Sequence, residues 1–446
     1  MQREWLEELA GKTLALVREG EAEVTIFGND GALTRFANNQ IEQHVHRRGL
    51  EISVRVLKDG RVGKASTNMT DESALTRCVR AAEAMLPHMP PDPEQLDLPG
   101  PQDYRESEHF DAGTAECAPE RRAQLVRPLL ERARKEDVTA AGILSNGASV
   151  MALANSRGLF AYNRRTEASY SVTVMTDDSA GWAREGRPDM GGIDYDAVVE
   201  RAMRKAVDGR GAKGIEPGEY DVVLEPAAVG DLLLFFGWAG FGGQAFVEGR
   251  SFMSGKIGEK LLDEKVTMED DAYHPLSGGV PFDFEGMPRR KVTLIERGVA
   301  RSVVHSRKTA KRAGVETTGH GLPEPNAYGA LPLNLLLHPG GSSLEEMIAS
   351  TERGILVTQF HYTNVIDPMK LVLTGITRSG TFWIENGKVS HPIKNLRFTE
   401  SMLKAFSNVE ALGKTLYRTE GFFGGGPVVP AVKIRDFRFT SVSEST

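Results

Sequence analysis

Cysteine and long apolar segments are nearly absent from this sequence, and each absence excludes a class of protein. The 446 residues include only two cysteines, Cys78 and Cys117, which are too few for a disulfide framework or a cysteine-rich zinc site. No run of about 18 apolar residues occurs, and the charged segment 1–20 has no signal-peptide core. We therefore expect a chain that does not span a membrane and resides in the cytoplasm.

An excess of positive charge is also absent. The chain carries 54 lysine and arginine residues against 61 aspartate and glutamate residues, which gives a formal net charge of −7. Proteins that attract nucleic acid or anionic lipid through their overall field need the opposite balance, so neither is an expected partner. Hydrophobic residues make up 40% and charged residues 26%, values typical of a folded protein, and the length requires more than one domain.

Hydrophobic periodicity in the first half predicts a mixture of helices and strands. Asp59-Gly60 lies between two strand patterns and predicts a tight hairpin, since both turn positions favour positive φ. Prolines crowd segment 87–116, which predicts a linker or a long surface crossing. The other predictions here are helices over 2–19, 71–86, 119–135 and 195–208 and strands over 23–28, 33–47, 50–57, 61–67 and 138–176.

The second half consists mainly of strand patterns joined by hairpins. Arg297-Gly298 and Asn386-Gly387 predict two hairpin turns, and segment 227–240 is apolar on all sides, which predicts burial. Other predicted strands cover 219–226, 332–339, 354–362 and 371–378, and short helices are predicted over 343–350 and 399–410. The whole pattern predicts an α+β fold of two domains, residues 1–215 and 216–446, with mixed or antiparallel sheets and flanking helices.

Common catalytic motifs are missing from the sequence. It contains no HExxH zinc motif, no GxSxG elbow, no Walker A loop and no GxGxxG after a strand, and the glycine-rich segments 237–243 and 421–426 are interpreted as turns. His44 and His46 share one face of a predicted strand, but no third metal ligand is near in sequence, so a solvated strand face is the preferred interpretation. Residues 360–363 end an apolar strand, where binding sites often occur.

Several longer segments together resemble the TldD/PmbA family. The resemblance covers nearly the whole chain, and its motifs occur in order. The segments that carry it are ISVRVLKDGRVGKASTN (52–68), ANSRGLF (154–160), SFMSGKIGEK (251–260), PFDFEGMPRRKVTLIERGVARSVVHSRKTAKRAGVETTGHG (281–321), GILVTQFHYTN (354–364) and SGTFWIENGKVSHPIKNLRF (379–398).

The resemblance implies a cytoplasmic, dimeric zinc metalloprotease. Members of the family are best described as a heterodimer of a TldD-type and a PmbA (TldE)-type subunit that cleaves small or unfolded peptides, trims leader peptides and degrades labile proteins. In the TldD-type subunit an HExxxH motif and a cysteine near the C-terminus hold the metal, and the glutamate would act as a general base on zinc-bound water. The PmbA-type subunit lacks these ligands and helps to enclose the substrate.

This chain departs from the metal-binding pattern. The expected HExxxH position falls in residues 228–250, AVGDLLLFFGWAGFGGQAFVEGR, where the only charged residues are Asp231, Glu248 and Arg250 and no histidine occurs. No cysteine follows Cys117, so the C-terminal ligand is missing as well, and a catalytic zinc needs about three protein ligands. The resemblance therefore implies a non-catalytic, PmbA-like subunit with no cofactor of its own, and zinc is expected in an HExxxH-bearing partner.

A peptide-binding role leads to a set of candidate substrate-binding residues and no catalytic ones. Extended peptides bind to an exposed strand edge through main-chain hydrogen bonds, and segment 354–363 is the first candidate for such a strand. The side chains at its end are Phe360, His361, Tyr362 and Thr363. Arg250 and Ser254 lie close in sequence to the expected metal helix, so we expect them to border the substrate chamber.

Two alternatives stay open at this level. The chain could be a metal-dependent peptidase with a rebuilt site, in which His305, His320, His338 or His361 converge with carboxylates. It could also be a homodimeric peptide-binding protein without protease activity.

Overall fold

The computed structural model describes residues 1–107, 109–421 and 426–443. Most of the glycine-rich segment 421–426, which was interpreted as a turn, lies outside the described residues. In the part of the chain that is described, no helix is long and apolar enough to cross a membrane.

Ten α-helices occur in the described ranges. They are α1 (Arg3–Ala15), α2 (Glu72–Met85), α3 (Ala112–Ala115), α4 (Pro119–Lys135), α5 (Tyr195–Asp208), α6 (Pro226–Gly240), α7 (Gly243–Val247), α8 (Arg307–Ala313), α9 (Leu344–Ala349) and α10 (Met402–Ser407). Short 3₁₀ turns cover Leu86–His88 and Met190–Gly192.

Nineteen strands occur in the same ranges. They are β1 (Glu21–Ala37), β2 (Gln40–Lys58), β3 (Arg61–Thr67), β4 (Thr139–Asn155), β5 (Phe160–Met175), β6 (Ala180–Arg187), β7 (Gly218–Leu224), β8 (Met268–Asp270), β9 (Val292–Glu296), β10 (Val299–Ala300), β11 (Leu335–Leu337), β12 (Arg353–Asp367), β13 (Val372–Glu385), β14 (Lys388–Pro392), β15 (Leu396–Ser401), β16 (Val409–Leu412), β17 (Tyr417–Arg418), β18 (Val428–Val429) and β19 (Val432–Val442).

The larger sheet contains 12 strands in the order β10-β9-β8-β11-β18-β17-β6-β5-β4-β1-β2-β3. Its long antiparallel part comes from the first half of the chain, and helices α1, α2, α4 and α5 pack on it. The sheet continues across the predicted boundary near residue 215, because Arg418 of β17 pairs with Gly186 of β6. The predicted α+β class is confirmed, whereas the division into two domains stays a prediction.

The predicted hairpin turns occur where the dipeptides place them. Asp59 and Gly60 have φ values of 50° and 72° and join β2 to β3, which pair in an antiparallel register from Ile52 and Thr67 to Lys58 and Arg61. Asn386-Gly387 joins β13 to β14, and Arg297-Gly298 joins β9 to β10. Two successive residues with positive φ match the twist of the flanking strands. These dipeptides were therefore sufficient to predict the hairpin turns.

The second sheet closes on itself. Its order is β12-β7-β19-β15-β13-β14, and β13 also pairs with β12, so five strands form a closed ring. Phe360, Phe398 and Phe437 are buried and pack together, with ring centroids 4.6 Å apart for Phe360 and Phe398 and 5.5 Å for Phe398 and Phe437. Because the ring of strands is closed, these aromatic side chains form an enclosed core.

One predicted short helix is confirmed only in its central half. Segment 399–410 begins as the end of β15, forms the short helix α10, and ends in β16. Alternating burial in β15 places Leu396 and Phe398 in the core, and the Ser401 side chain then caps α10 by accepting a hydrogen bond from the Lys404 N–H. Sheet pairing on both sides outweighed the helical spacing of the apolar residues.

The proline-rich crossing packs against the second half of the chain. Asp92 forms an ion pair with Lys308, Glu94 accepts from Arg312 Nε at 2.9 Å, and the Asp97 carbonyl accepts from Arg307 at 2.8 Å. The acidic residues of the crossing therefore neutralise the basic face of α8.

The aromatic packing around α6 predicts a large effect of one truncation. Phe236 is fully buried and its ring lies 5.1 Å from that of Phe406 and 5.8 Å from that of Phe252. We expect Phe236→Ala to lower the free energy of unfolding by about 3–5 kcal/mol, the usual cost of such a cavity, measured by urea denaturation. The exposed Val315→Ala variant should change it by less than about 0.5 kcal/mol; equal effects of the two substitutions would contradict the packing argument.

Candidate functional site

Helix α6 is the buried apolar segment that the sequence predicts. It begins at Pro226, where the missing N–H of proline costs no helical hydrogen bond. Its buried residues include Val229, Leu232, Leu233 and Phe236, which belong to the core that also contains the phenylalanines of the closed ring. The helix therefore positions the segments that pack around its C-terminal end.

Asp231 is the one acidic residue of α6, and it is held between the helix and β12. Its Oδ2 accepts a hydrogen bond from the Phe360 backbone N–H at 3.1 Å. Burial raises the pKa of the Asp231 carboxyl to about 7, although the hydrogen bond from Phe360 opposes the shift. The sequence showed Asp231 only as one of few charges in an apolar window, and the contact with β12 could not be inferred from it.

A buried ion pair joins the start of α6 to helix α5. Lys205 Nζ lies 2.6 Å from Glu225 Oε2, and the two side chains are 6% and 13% exposed. This pair lines a cavity of about 480 Å³, together with Asp231 and the side chains of Arg184 and Arg418. Because α5 and α6 come from different halves of the sequence, the cavity lies at their junction.

Strand β12 changes its environment along its length. Gly354–Val357 pair with β7 on one side and with β13 on the other, so a peptide cannot add to the sheet there. Beyond Val357 the pairing continues with β13, and among the described residues no strand pairs with the opposite side of 362–367. The open edge is therefore the C-terminal part of the strand.

An irregularity marks the start of this open edge. The pairing of β12 with β13 shifts register between His361 and Asn364, and Tyr362 has a φ of 51° and a side chain that is 73% exposed. Positive φ is strained for an aromatic residue, and bulges of this kind often lie beside functional sites. The bulge turns the Tyr362 ring outward from the sheet.

The other candidate residues of this strand have different environments. Phe360 is buried in the closed ring, and the Thr363 hydroxyl is buried without a hydrogen-bond partner among the described residues. His361 lies against the Tyr362 ring, with centroids 4.2 Å apart, and Arg378 Nη1 approaches its imidazole at 3.0 Å. Burial and the positive charge of Arg378 lower the pKa of His361.

Arg250 and Ser254, the other two candidate residues, also have different environments. Arg250 is exposed, interacts with Glu248, with Nε 2.9 Å from the carboxylate, and lines a cavity of about 440 Å³ together with Val365 of β12. The Ser254 hydroxyl donates to the Phe246 carbonyl at 3.0 Å. His361 lines a different cavity of about 920 Å³, so the structure brings Arg250 to the open end of β12 but not beside His361.

Exposed apolar side chains surround the Arg250 cavity, and the sequence analysis missed them. They are Trp238 (38% exposed), Tyr328 (42%) and Met369 (44%), which line the cavity together with Arg250. We call this lining the β12 face. Tyr362 and Ile366 are exposed separately, on the open part of β12. Trp238 lies in an all-apolar helix segment and the others lie far apart in sequence, so only the fold shows that this apolar surface is exposed in one region.

The comparisons with known proteins agree along the whole chain. Residues 22–86 match the model described as PmbA/TldA metallopeptidase domain 1, residues 118–210 the central domain, and residues 217–441 the C-terminal domain. The chain belongs to the PmbA/TldD family.

Individual relatives of the PmbA/TldD family are distant in sequence. A protein named metalloprotease from Methanothermobacter thermautotrophicus is 27% identical over 63% of this chain and 64% of its own length, so this chain spans less than two thirds of that relative. The metalloprotease PmbA of Escherichia coli O157:H7 is 22% identical over 97% of this chain and 96% of its own. The crystal structure of TldE from Thermococcus kodakarensis shares the fold, with a TM-score of 0.87 at 23% identity over 98% of this chain and all of that one.

The residues of segment 228–250 do not fit the zinc site that the family resemblance implies there. The segment contains no histidine or cysteine, and apolar side chains supply no zinc ligand. Its two carboxylates are engaged elsewhere, Asp231 with the Phe360 N–H and Glu248 with Arg250. Over the described part of the chain, no group of three or more histidine, cysteine, aspartate or glutamate residues is arranged to hold a metal ion.

The scattered histidines have separate partners. His320 Nε2 lies 2.9 Å from Asp270 Oδ1, and His338 Nε2 lies 2.7 Å from Glu269 Oε2. Adjacent residues of a strand point to opposite faces, so the two pairs on β8 diverge. His305 hydrogen-bonds to Thr309 at 3.3 Å.

The two strand histidines are also paired separately. His44 hydrogen-bonds to Thr34 at 2.8 Å, and His46 to Asp30 at 2.6 Å.

The buried carboxyl of α6 predicts a pH dependence of stability. The ordinary pKa of 3.8 rises to about 7 at Asp231, so the native state pays no ionisation cost below pH 4, and its stability falls as the pH rises towards and through 7. Asp231→Asn keeps an oxygen acceptor for Phe360. At pH 8 we expect the variant to unfold at a higher urea concentration than the wild type, with a free energy of unfolding that is greater by at most about 4 kcal/mol. At pH 4 the two proteins should differ little.

A second variant controls for the loss of one negative charge. Glu352→Gln removes an exposed carboxylate and should show no comparable pH-dependent gain. A stability difference for Asp231→Asn that is the same at pH 4 and pH 8 would contradict the assigned titration.

Proposed function

We propose that this chain is the non-catalytic, substrate-binding subunit of a heterodimeric zinc metalloprotease that acts on small or unfolded peptides in the cytoplasm. The observation that carries the proposal is segment 228–250, which forms mainly the apolar helix α6 and contains no histidine or cysteine where the family resemblance places metal ligands. Membership of a metallopeptidase family and the absence of those ligands are reconciled if a partner subunit supplies the zinc.

The β12 face supports a partner at this position. Three large apolar side chains, Trp238, Tyr328 and Met369, are between 38% and 44% exposed and line one cavity beside the end of α6 and Val365 of β12. Apolar patches of this kind, rimmed by polar residues such as Arg250, are typical of protein interfaces and ligand grooves. A partner that binds here would place its own metal site next to the helix that has lost its ligands.

The open edge of β12 supports peptide binding inside the same assembly. Main-chain groups of an edge strand bind extended peptides with little dependence on sequence, which suits a protease of unfolded segments. In this arrangement Tyr362 and Ile366 contact the apolar side chains of the peptide, and Arg250 binds carboxylates or carbonyl oxygens at the rim of the chamber.

Reconstitution tests the assignment of the zinc to a partner. We expect an unstructured peptide to be cleaved by a mixture of this chain with a TldD-type subunit bearing HExxxH, and to stay intact with either chain alone. A metal chelator, or replacement of the glutamate in the partner's HExxxH by glutamine, should abolish the cleavage, measured by mass spectrometry. Chelator-sensitive cleavage by the pure chain alone would contradict the proposal.

Substitution of the β12 face tests the interface. Met369→Glu places a charge within the proposed contact, and we expect it to weaken the heterodimer at least tenfold in sedimentation velocity, because a desolvated carboxylate would remain unpaired. Met69→Glu, at a methionine of similar exposure between β3 and α2, should leave the association unchanged. Stable homodimers that carry uncut peptides would favour the alternative of a peptide-binding protein without protease activity.

A further inference from the structure

Another cavity, in addition to the three described above, lies away from helix α6, between the strands of the first half and the segment around Phe282. It has a volume of about 460 Å³ and shares no lining residue with the β12 face. Pockets of this size accommodate small organic ligands. Its walls combine aromatic and aliphatic side chains with two arginines, Arg165 and Arg289.

Arg289 lines this space with a guanidinium group that lacks partners. The residue is 6% exposed, and its Nε and Nη1 are buried with no hydrogen-bond partner among the described residues. Its backbone is fixed, because the Arg289 N–H donates to the Pro281 carbonyl at 2.8 Å and the Tyr273 hydroxyl donates to the Arg289 carbonyl at 3.0 Å. A positioned but unpaired buried cation is costly.

The neighbouring carboxylates bind other donors. Asp270 accepts from His320 at 2.9 Å and from the Asn334 N–H at 2.7 Å. Asp283 accepts from the N–H groups of Met287 at 2.9 Å and Gly321 at 2.7 Å. Both carboxyl groups interact electrostatically with Arg289 at longer range. Neither accepts a hydrogen bond from its Nε or Nη1, so these two donors stay available.

A second arginine, which is partly buried, adds positive charge to the same wall. Arg165 donates to the Ser149 hydroxyl at 3.2 Å and to the Gly278 carbonyl at 2.7 Å. Burial, and the charges of Arg418 and Arg289, lower the pKa of Arg165. The two guanidinium groups therefore repel each other, and an anion between them would relieve that repulsion.

The rest of the wall is mainly apolar, although the exposed carboxylate Glu51 and several uncharged polar residues also line it. Phe27 and Phe284 contact each other, with centroids 5.8 Å apart, and Leu50, Met151 and Phe282 line the same space. Asn163 is 7% exposed there and could accept or donate a hydrogen bond at the polar side. A ligand that fits must have an acidic end and an apolar body.

We propose that this cavity is a binding site for an organic carboxylate that carries an apolar group, with Arg289 as its anchor. Arginine binds carboxylates through paired, charge-assisted hydrogen bonds, and the aromatic wall receives the hydrocarbon part. The same chemistry occurs in a free hydrophobic acid and in the C-terminal residue of a peptide. The site does not depend on the proposed protease role of the chain.

Calorimetry with matched ligands tests the site on the wild-type chain. We expect 3-phenylpropionate to bind at least tenfold more tightly than 3-phenylpropionamide, which has the same shape without the charge. Equal affinities, or no binding of either compound and of the peptides below, would overturn the proposal. This comparison needs no variant and is unaffected by folding defects.

Two variants identify the anchor. Arg289→Gln should reduce carboxylate affinity at least tenfold, whereas Arg290→Gln, next in sequence and paired with Glu316 on the surface at 2.7 Å, should leave it unchanged. Unchanged carboxylate binding by a folded Arg289→Gln variant would overturn the assignment.

Peptides distinguish the two sources of the ligand. A dipeptide that ends in phenylalanine with a free carboxylate is compared with its C-terminal amide. Binding of the free dipeptide and not of the amide assigns the site to peptide C-termini; binding of phenylpropionate alone assigns it to small acids.

Discussion

The burial of most of helix α6 is the constraint on which the rest of the structure depends. A helix that is apolar on nearly every face is stable only when other elements cover it, and here the closed ring of strands and the aromatic side chains of Phe241, Phe252 and Phe406 cover all but the end at Trp238. The same helix carries Asp231, which binds β12, and begins beside Glu225, which binds α5. Helix α6 therefore contacts the closed ring, helix α5 of the first half and strand β12, and it holds them together.

This packing also explains why the β12 face exists. The ring closes through the pairing of β12 with both β7 and β13, but β7 ends at Leu224, where the chain turns into α6. Strand β12 is longer than its neighbour, so its last residues leave the ring with one side open and their apolar side chains exposed. The surface that we assign to a partner and a peptide is thus a consequence of unequal strand lengths around a closed sheet.

The two proposed sites differ in their chemistry. The β12 face is apolar with a single rim arginine, whereas the other cavity combines the buried Arg289 and the partly buried Arg165 with an aromatic wall. Buried guanidinium donors without a hydrogen-bond partner are costly, and Asp270 and Asp283 accept their hydrogen bonds from other groups. A ligand that accepts from Arg289 would remove this cost.

Local signals in the sequence by themselves determined the hairpins at Asp59-Gly60 and Asn386-Gly387, the helix over 195–208, the buried character of 227–240 and the absence of histidine there, because turn preference, periodicity and ligand count depend on neighbouring residues alone. The tertiary structure decided which side chains meet: that Phe360 enters the core, that Arg250 lies near Val365 but not His361, that strands replace the helix at both ends of segment 399–410, and that two side-chain nitrogens of Arg289 lack a hydrogen-bond partner. These outcomes depend on contacts between residues tens to hundreds of positions apart, which sheet closure and register create and no local pattern encodes.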